Sequence, residues 1–229
     1  AETSGHAAIH NNLGNALLAS GRPDAALTSF RRAIDLAPDT APLHGNLANA
    51  LMAQGEFDPA AAAYEIALRL APGNGDWLNR LGNARDAAGH TDAAIAAYRA
   101  ALASGFDSRA ALARQFELLE RWEEAIELLA GLAVDRPADV PIQCALGRAY
   151  CAAKQLAPAL ACFERALALK PDEADAQYAI GRIRYGEGAF DAAEAGYRAA
   201  LDLDPTHSGA RFSLGLLLQR ERQQPAEAV

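Results

Sequence analysis

The feature that most constrains the fold of this chain is a pattern that returns at intervals of 34, 34, 31, 34, 34 and 34 residues. Its most regular element is a leucine or isoleucine followed by a small residue. The seven copies are Leu13-Gly14, Leu47-Ala48, Leu81-Gly82, Leu112-Ala113, Leu146-Gly147, Ile180-Gly181 and Leu214-Gly215. Self-similarity at a period of roughly 20–50 residues is typical of repeat proteins, in which each repeat is one supersecondary unit. The chain is therefore predicted to fold by stacking copies of a small unit.

Four further series of residues keep the same period. A small residue recurs at Ala26, Ala60, Ala94, Ala125, Ala159 and Ala193, and a bulky one at Phe30, Tyr64, Tyr98, Leu129, Phe163 and Tyr197. They are followed by Ala33, Ala67, Ala101, Leu132, Ala166 and Ala200, and then by Pro38, Pro72, Pro137, Pro171 and Pro205. Apolar residues within a repeat recur at helical spacing, as at Leu27, Phe30 and Ile34. This spacing indicates two amphipathic helices per repeat, which the small residues would allow to approach closely.

The combination of Leu-Gly or Leu-Ala, a small residue, an aromatic ring, a second small residue and a proline resembles the tetratricopeptide repeat (TPR). The resemblance implies an all-α fold, a right-handed superhelical solenoid of stacked helix–turn–helix repeats. We expect one array over residues 1–229. Its repeats would be 7–40, 41–74, 75–105, 106–139, 140–173 and 174–207, with a partial seventh repeat at 208–229.

Two departures from the regular pattern have structural consequences. The third repeat is three residues short, and we expect a tighter turn around Ser104-Gly105-Phe106. The first helix of the seventh repeat, around residues 208–221, has no complete partner helix after it, so Leu214, Leu217 and Leu218 are expected to be partly exposed. An apolar patch at the end of an array is usually covered by more chain or by another subunit. We therefore expect either a fragment of a longer protein or self-association through this helix.

Composition excludes several classes of function. The net charge of −8 disfavours nucleic-acid binding, because a phosphate backbone favours a basic surface. No stretch approaches the roughly 20 apolar residues of a membrane span. The chain begins at Ala1 without a methionine or an apolar signal segment, which favours a processed product or a fragment. We expect a cytoplasmic protein, with the periplasm as the alternative if a signal peptide has been removed.

The sequence offers no candidate for catalysis or for a cofactor. It lacks a phosphate-binding loop, a nucleophile elbow and a pair of catalytic carboxylates. His6 and His10 could face one metal ion but have no third ligand, so no metal site is predicted. Cys144, Cys151 and Cys162 are expected to be small buried or groove thiols, with zinc binding or redox chemistry as the alternatives. We therefore predict a protein that is not an enzyme and has no cofactor.

The resemblance to TPR proteins implies that the first helix of each repeat lines a concave groove. The ninth residue of successive repeats is asparagine three times and then arginine three times. With neighbouring positions, the predicted groove residues are Asn11, Asn12, Asn15, Asn46, Asn49, Asn79, Asn83, Arg114, Arg148, Tyr178, Arg182 and Tyr185. Asparagine can bind a peptide backbone, arginine suits carboxylates, and tyrosine rings can serve as anchors. Inward-facing acids such as Asp86 and Asp175 are expected to neutralise some of the arginines.

The segments 11–17 and 44–51, Asn-Asn-Leu-Gly-Asn-Ala-Leu and His-Gly-Asn-Leu-Ala-Asn-Ala-Leu, resemble the TPR arm of O-linked N-acetylglucosamine transferases over the first three repeats. In that family asparagines of the groove bind the substrate backbone. The leading hypothesis is a scaffold that binds an extended or helical segment of a partner protein. The alternatives are the substrate-recruiting arm of a larger enzyme, of the glycosyltransferase or sulfotransferase type, and a self-assembling structural array.

Overall fold

A computed structural model describes the backbone of residues 2–223 and the side chains of residues 5–220. Over that range the chain forms thirteen α-helices and no β-strand. It divides into two compact units, Ala1–Gln115 and Phe116–Val229. The predicted all-α fold built of helical repeats is confirmed.

The first unit contains six helices and part of a seventh. They are α1 (Glu2–Ala19), α2 (Pro23–Leu36), α3 (Ala41–Gln54), α4 (Phe57–Leu70), α5 (Gly75–Ala87), α6 (Thr91–Ala103) and α7 (Arg109–Leu118). The boundary of the units falls within α7. The second unit continues with α8 (Trp122–Asp135), α9 (Val140–Ala152), α10 (Leu156–Leu169), α11 (Ala174–Gly186), α12 (Phe190–Leu203) and α13 (Ser208–Gln223).

The buried aromatic rings pack over the small residue that follows each leucine. Phe30 is fully buried, and a Cβ atom added to Gly14 would lie 2.6 Å from its ring. The same arrangement joins Gly147 to Phe163, where the added atom would lie 2.8 Å from the ring. Because glycine has no side chain, the two helices of a pair approach closely, and the aromatic ring fills the space that a side chain at the glycine position would need. This close approach is what the recurring small residues predict.

The three-residue deletion in the third repeat is accompanied by a shorter helix α7, and the turn before that helix is not shortened. The connection between α6 and α7 comprises residues 104–108, whereas the connections before α3 and α5 comprise only residues 37–40 and 71–74. Helix α7 has 10 residues, against 14 in α3. The expected tighter turn is therefore wrong. Phe106 instead packs against Gly75 at the start of α5, which holds the longer connection in place.

The apolar surface of α13 differs from the prediction. Leu217 is fully buried against Ala193 and Tyr197, so its expected exposure is wrong. Helical spacing places it on the face that packs against the preceding helix. The exposed apolar side chains of α13 are Phe212 (68%) and Leu216 (48%).

The turns inside the helix pairs contain a residue in the left-handed region. Glycine takes this place at Gly21, Gly55, Gly89 and Gly188, with φ between 72° and 81°. In two pairs a residue with a side chain occupies the same place, Glu120 at φ 57° and Lys154 at φ 60°. Glycine adopts this conformation without the clash of a Cβ atom, and it commonly ends helices in this way. These two turns are therefore strained relative to the others.

Replacing Lys154 with glycine is expected to raise the free energy of unfolding by about 0.5–1 kcal/mol, because removing the left-handed strain outweighs the greater freedom of an unfolded glycine. The reverse change, Gly188→Lys, places a side chain in the matching turn of the next pair and should lower stability by about 1 kcal/mol. Urea denaturation of both variants measures the two effects. Shifts of the same sign in both variants would contradict this explanation.

Candidate functional site

Two of the predicted groove asparagines in the first unit are oriented by tyrosine hydroxyls. Tyr64 donates a hydrogen bond to Oδ1 of Asn49 at 2.6 Å, and Tyr98 donates one to Oδ1 of Asn83 at 2.8 Å. Arg80 also donates to Oδ1 of Asn49 at 3.3 Å. The oxygen of each amide is therefore occupied, and neither Nδ2 group has a hydrogen-bond partner among the described residues. Both asparagines thus present N–H donors to a ligand.

Burial keeps these tyrosines in the hydroxyl form that can donate. Removal from water, together with the nearby Asp86 carboxylate, raises the pKa of Tyr98 to about 12. Burial also raises the pKa of Tyr64, although Arg80 opposes the shift. Both side chains are almost completely buried, at 1% exposure. At neutral pH each of these asparagine oxygens therefore accepts a hydrogen bond from a protonated tyrosine hydroxyl, which fixes the orientation of the amide.

The other predicted asparagines differ in how they are held. Asn46 donates from Nδ2 to Oδ1 of Asn11 at 2.8 Å. Ser108 donates to Oδ1 of Asn79 at 2.9 Å. The first contact joins the first helices α1 and α3, the second joins α5 to the connection before α7, and both leave part of each amide free. Among the described residues, Asn12 and Asn15 are exposed and make no hydrogen bond through their side chains.

The three arginines at the ninth repeat position fall into two groups. Arg114 in the first unit is bound to Asp86 at 2.9 Å, as the inward acids predicted. Arg148 and Arg182 in the second unit are exposed, and neither forms an ion pair within residues 5–220. The guanidinium of Arg182 lies 5.9 Å from the ring centroid of Tyr178. Only the second unit therefore presents unneutralised arginines at this position.

The two predicted tyrosines of the second unit have different environments. Tyr178 is half-buried, with its ring 4.7 Å from that of His207 and 5.8 Å from that of Tyr197. Tyr185 is 38% exposed and packs edge-on against Phe190 at 5.5 Å. Tyr178 therefore packs mainly against neighbouring rings, whereas the exposed part of the Tyr185 side chain can contact a ligand.

Arg148 and Arg182 line two adjoining pockets between α9 and α11. The larger pocket, of about 420 Å³, is otherwise lined mainly by apolar groups, including Cys151, Leu156 and Ile183. The second, of about 370 Å³, also contains Cys144, Asp175, Tyr178 and His207. Both pockets are therefore mostly apolar, and both arginines line both of them; the smaller pocket adds the polar groups of Asp175, Tyr178 and His207.

The cysteines are free thiols, as predicted. Burial raises the pKa of Cys144, Cys151 and Cys162, so all three are neutral at physiological pH. Arg182 opposes the shift at Cys151 without reversing it. A neutral thiol behaves as a small apolar group, and Cys151 therefore adds to the apolar character of the larger pocket.

Several contacts in this region were missed by the sequence analysis. Each of the pairs Asn49–Tyr64 and Asn83–Tyr98 is separated by 15 residues, and this constant spacing could have revealed the tyrosine contacts. The bond between His207 Nε2 and Asp175 Oδ1, at 3.1 Å, joins residues 32 apart at the two ends of the repeat 174–207, and the same separation recurs between His90 and Asp58.

Within the described residues, no group of three or more His, Cys, Asp or Glu side chains is arranged to hold a metal ion. No helix in that range is both long enough and apolar enough to cross a membrane.

Comparison with known families decides the assignment of the chain. The sequence model of the tetratricopeptide repeat matches residues 2–41, 11–75, 46–106 and 144–208, which together are well over half of the chain. The chain belongs to the tetratricopeptide repeat family. Among curated proteins, no sequence was similar enough to count as a relative of this TPR chain.

Solved TPR structures share its fold. YrrB, described as a TPR protein with an unusual peptide-binding site, is 24% identical, with 80% of this chain and 96% of YrrB covered and a TM-score of 0.70. The C-terminal part of a TPR protein from Cytophaga hutchinsonii is 16% identical, with coverage of 91% and 87% and a TM-score of 0.79. PilF from Pseudomonas aeruginosa is also 16% identical, with coverage of 94% and 100% and a TM-score of 0.71. At these identities the likeness establishes the fold alone.

Proposed function

We propose that this TPR chain is a protein-interaction scaffold that binds an extended segment of a partner protein on the first helices of its repeats. The observation that carries the proposal is the pair of oriented amides at Asn49 and Asn83. With their oxygens occupied, their free N–H groups can bind peptide carbonyls. The carbonyls of an extended segment are available for such bonds, whereas most of those in a helix are already bonded within the helix. An extended ligand is therefore favoured over a helical one.

The proposed binding surface comprises the residues predicted from the repeat positions. In the first unit these are Asn11, Asn12, Asn15, Asn46, Asn49, Asn79, Asn83 and Arg114, and in the second unit Arg148, Tyr178, Arg182 and Tyr185. Backbone contacts through amides would bind many sequences, whereas the arginines and tyrosines would add selectivity. The peptide-binding site described for YrrB makes peptide binding by this fold a natural expectation.

The double variant Asn49→Asp with Asn83→Asp tests the proposal. Aspartate keeps an oxygen for Tyr64 and Tyr98 but replaces each N–H donor with a second acceptor. We expect binding to an array of random decapeptides, blocked at both ends, to weaken at least about tenfold, because the loss of hydrogen bonds leaves peptide carbonyls facing negative charge. The melting temperature should change little, since the buried contacts of the amide oxygens remain.

The control for this experiment is Arg31→Gln with Arg32→Gln, which changes the net charge by the same amount. Both arginines are exposed on α2, and Arg32 forms an ion pair with Asp35, at 3.9 Å. This variant should bind the array like the unaltered protein. Equal binding by the aspartate variant and the control would refute a role for the amide donors.

Self-association through α13 is a second candidate function. Phe212 and Leu216 are exposed on this helix, and nothing lies within 4 Å of a Cβ atom added to Gly215. A second copy could cover these side chains. We expect the sedimentation coefficient to rise with protein concentration, and Phe212→Ser with Leu216→Ser to abolish the rise. A sedimentation coefficient that stays at the monomer value would exclude this candidate.

A further inference from the structure

We propose that a second copy of this chain covers α13 with its own α1, so that copies associate head to tail. The inference rests on self-association, the second candidate under the proposed function, and adds the surface to which α13 binds. The head is the exposed apolar stripe of α1 formed by Ile9, Leu13 and Ala16, and the tail is the pair of exposed side chains Phe212 and Leu216 on α13.

The head is a face of the first helix that the later repeats bury. Counted from the first residue of each repeat (7, 41, 75, 106, 140, 174 and 208), Ile9 stands at the third position and Ala16 at the tenth. Ile9 is 62% exposed, whereas the third position is at most 7% exposed in five of the six later repeats. Ala16 is exposed, whereas the tenth position is at most 4% exposed in all six later repeats. Leu13 is 49% exposed between them, so this face of α1 lacks the cover that the equivalent faces have.

The tail differs from the equivalent residues of the other first helices. Phe212 stands at the fifth position of its repeat and Leu216 at the ninth, and they are 68% and 48% exposed. The ninth position is asparagine or arginine in the six preceding repeats, so an apolar side chain at this position is particular to α13. An aromatic ring and a leucine one helical turn apart give α13 an apolar surface that favours association.

Contacts between α3 and α5 show how successive first helices meet. A Cβ atom added to Gly45, at the fifth position, would lie 2.9 Å from Nε1 of Trp77, at the third position of the next repeat. Asn49, at the ninth position, accepts a hydrogen bond from Arg80, at the sixth position, at 3.3 Å. The contacted positions rise together along the two helices, so these helices run in the same direction.

Two other junctions involve the fifth position in the same way. Asn79, at the fifth position, accepts a hydrogen bond from Ser108, at the third position of the next repeat, at 2.9 Å. In the second unit the hydroxyl oxygen of Tyr178, also at the fifth position, lies 3.5 Å from that of Ser213 on α13. The fifth position therefore faces the first helix of the next repeat, and its contacts include the third position there.

Between copies, the same register places Phe212 at a fifth position against Ile9 at a third position. Leu216 and Leu13 each lie four residues further along, so they meet as a second pair when the two helices run in the same direction. Two apolar pairs one helical turn apart would be removed from water together. A second copy therefore fits the tail, because it continues contacts that the chain already makes between its own repeats.

The proposed contact is smaller than a junction inside the chain. Within the chain the tenth position also packs on the second helix of the preceding repeat, as Leu217 packs with Tyr197 of α12. No such second helix follows α13 among the described residues, so association is expected to be reversible and to depend on protein concentration. Because a head binds a tail, each added copy leaves one head and one tail open, and association is not limited to a dimer.

The experiment uses the full chain and two complementary variants. The head variant is Ile9→Gln with Leu13→Gln, in which glutamine preserves helix propensity, and the tail variant is Phe212→Ser with Leu216→Ser. In sedimentation equilibrium, the average mass of the unaltered protein should rise past that of a dimer as concentration increases. Each variant alone should remain monomeric. An equimolar mixture of the two should reach twice the monomer mass and no more, because it contains one intact head and one intact tail.

The control is Leu118→Gln with Val134→Gln, which removes equally exposed apolar side chains from helices other than α1 and α13. These two side chains are 61% and 78% exposed. The control should associate like the unaltered protein. Circular dichroism of every variant establishes that it is folded.

The results distinguish the head-to-tail contact from self-association in general. Association of the head variant like that of the unaltered protein would mean that two α13 helices pair with each other, which would overturn the inference and leave self-association through α13 standing. A monomeric mixture, with unaltered protein that associates, would also overturn the inference. A monomer mass for the unaltered protein at every concentration would overturn both the inference and the second candidate, whereas the decapeptide array tests peptide binding independently.

Discussion

Replacing Gly181 with leucine should lower the free energy of unfolding by at least about 3 kcal/mol. A Cβ atom at this position would lie 2.8 Å from the ring of Tyr197 and 3.1 Å from the carbonyl oxygen of Ala193. Tyr197 is 2% exposed and cannot move outward without opening the core of the helix pair. Gly196 on the facing helix is equally close, since its own added Cβ would lie 2.9 Å from the Cα of Gly181. Urea denaturation followed by circular dichroism measures the loss.

Gly215 provides the matched control, because it occupies the same repeat position on α13. Nothing lies within 4 Å of a Cβ atom added there. Gly215→Leu should leave stability unchanged or raise it by up to about 1 kcal/mol, since leucine is the better helix former. Comparable losses in the two variants would show that the sequence position, and not the packed ring, sets the requirement for glycine.

The second large effect is expected at alkaline pH. Tyr98 has an ordinary pKa of 10.0 in the unfolded chain and a pKa of about 12 in the folded protein, because it is buried. Between pH 10 and pH 12 the unfolded state therefore loses a proton that the folded state keeps. The stability present below pH 10 is lost as the pH rises, at about 1.4 kcal/mol per pH unit and about 3 kcal/mol in total for this residue.

Tyr98→Phe isolates this contribution. Burial also raises the pKa of Tyr64 and Tyr197, so some alkaline loss should remain in the variant. At neutral pH the variant should be less stable by about 1 kcal/mol, because the Oδ1 atom of Asn83 loses its donor. Above pH 10 its stability should fall less steeply than that of the unaltered protein. Parallel curves for the two proteins would contradict the assignment of the effect to Tyr98.

The fold could be predicted from the sequence because the residues that determine the packing of a helix pair lie within one repeat. In such a repeat the aromatic ring packs against the glycine that follows the leucine, as Phe30 packs against Gly14. The Leu-Gly pair and the aromatic ring therefore recur together. Since the same packing recurs along the chain, the assignment of helices in one repeat can be checked against the other repeats. Where the repetition fails, the prediction fails as well: the short third repeat led to a wrong expectation for the turn before α7.

The candidate site could be predicted only in part. The repeat register located the asparagines and arginines, because their positions on the helix follow from the period. It could not determine that Tyr64 and Tyr98 occupy the amide oxygens, since the orientation of an amide depends on atoms of another helix. Nor could it distinguish Arg114, which is paired with Asp86, from the unpaired Arg148 and Arg182. Ion pairing depends on distances of a few ångströms between separate helices.

The sequence by itself thus determined that this protein consists of helical repeats and which positions recur on their first helices, because periodic side-chain size encodes local packing. The tertiary structure alone decided which polar groups remain free. Asn49 keeps its donors because Tyr64 and Arg80 bind its oxygen. Arg148 has no ion-pair partner among the described residues, because Glu173 and Asp175, which line a pocket with it, contact Lys170 and His207 instead. Hydrogen bonds and ion pairs are satisfied across helices, and a one-dimensional pattern cannot assign their partners.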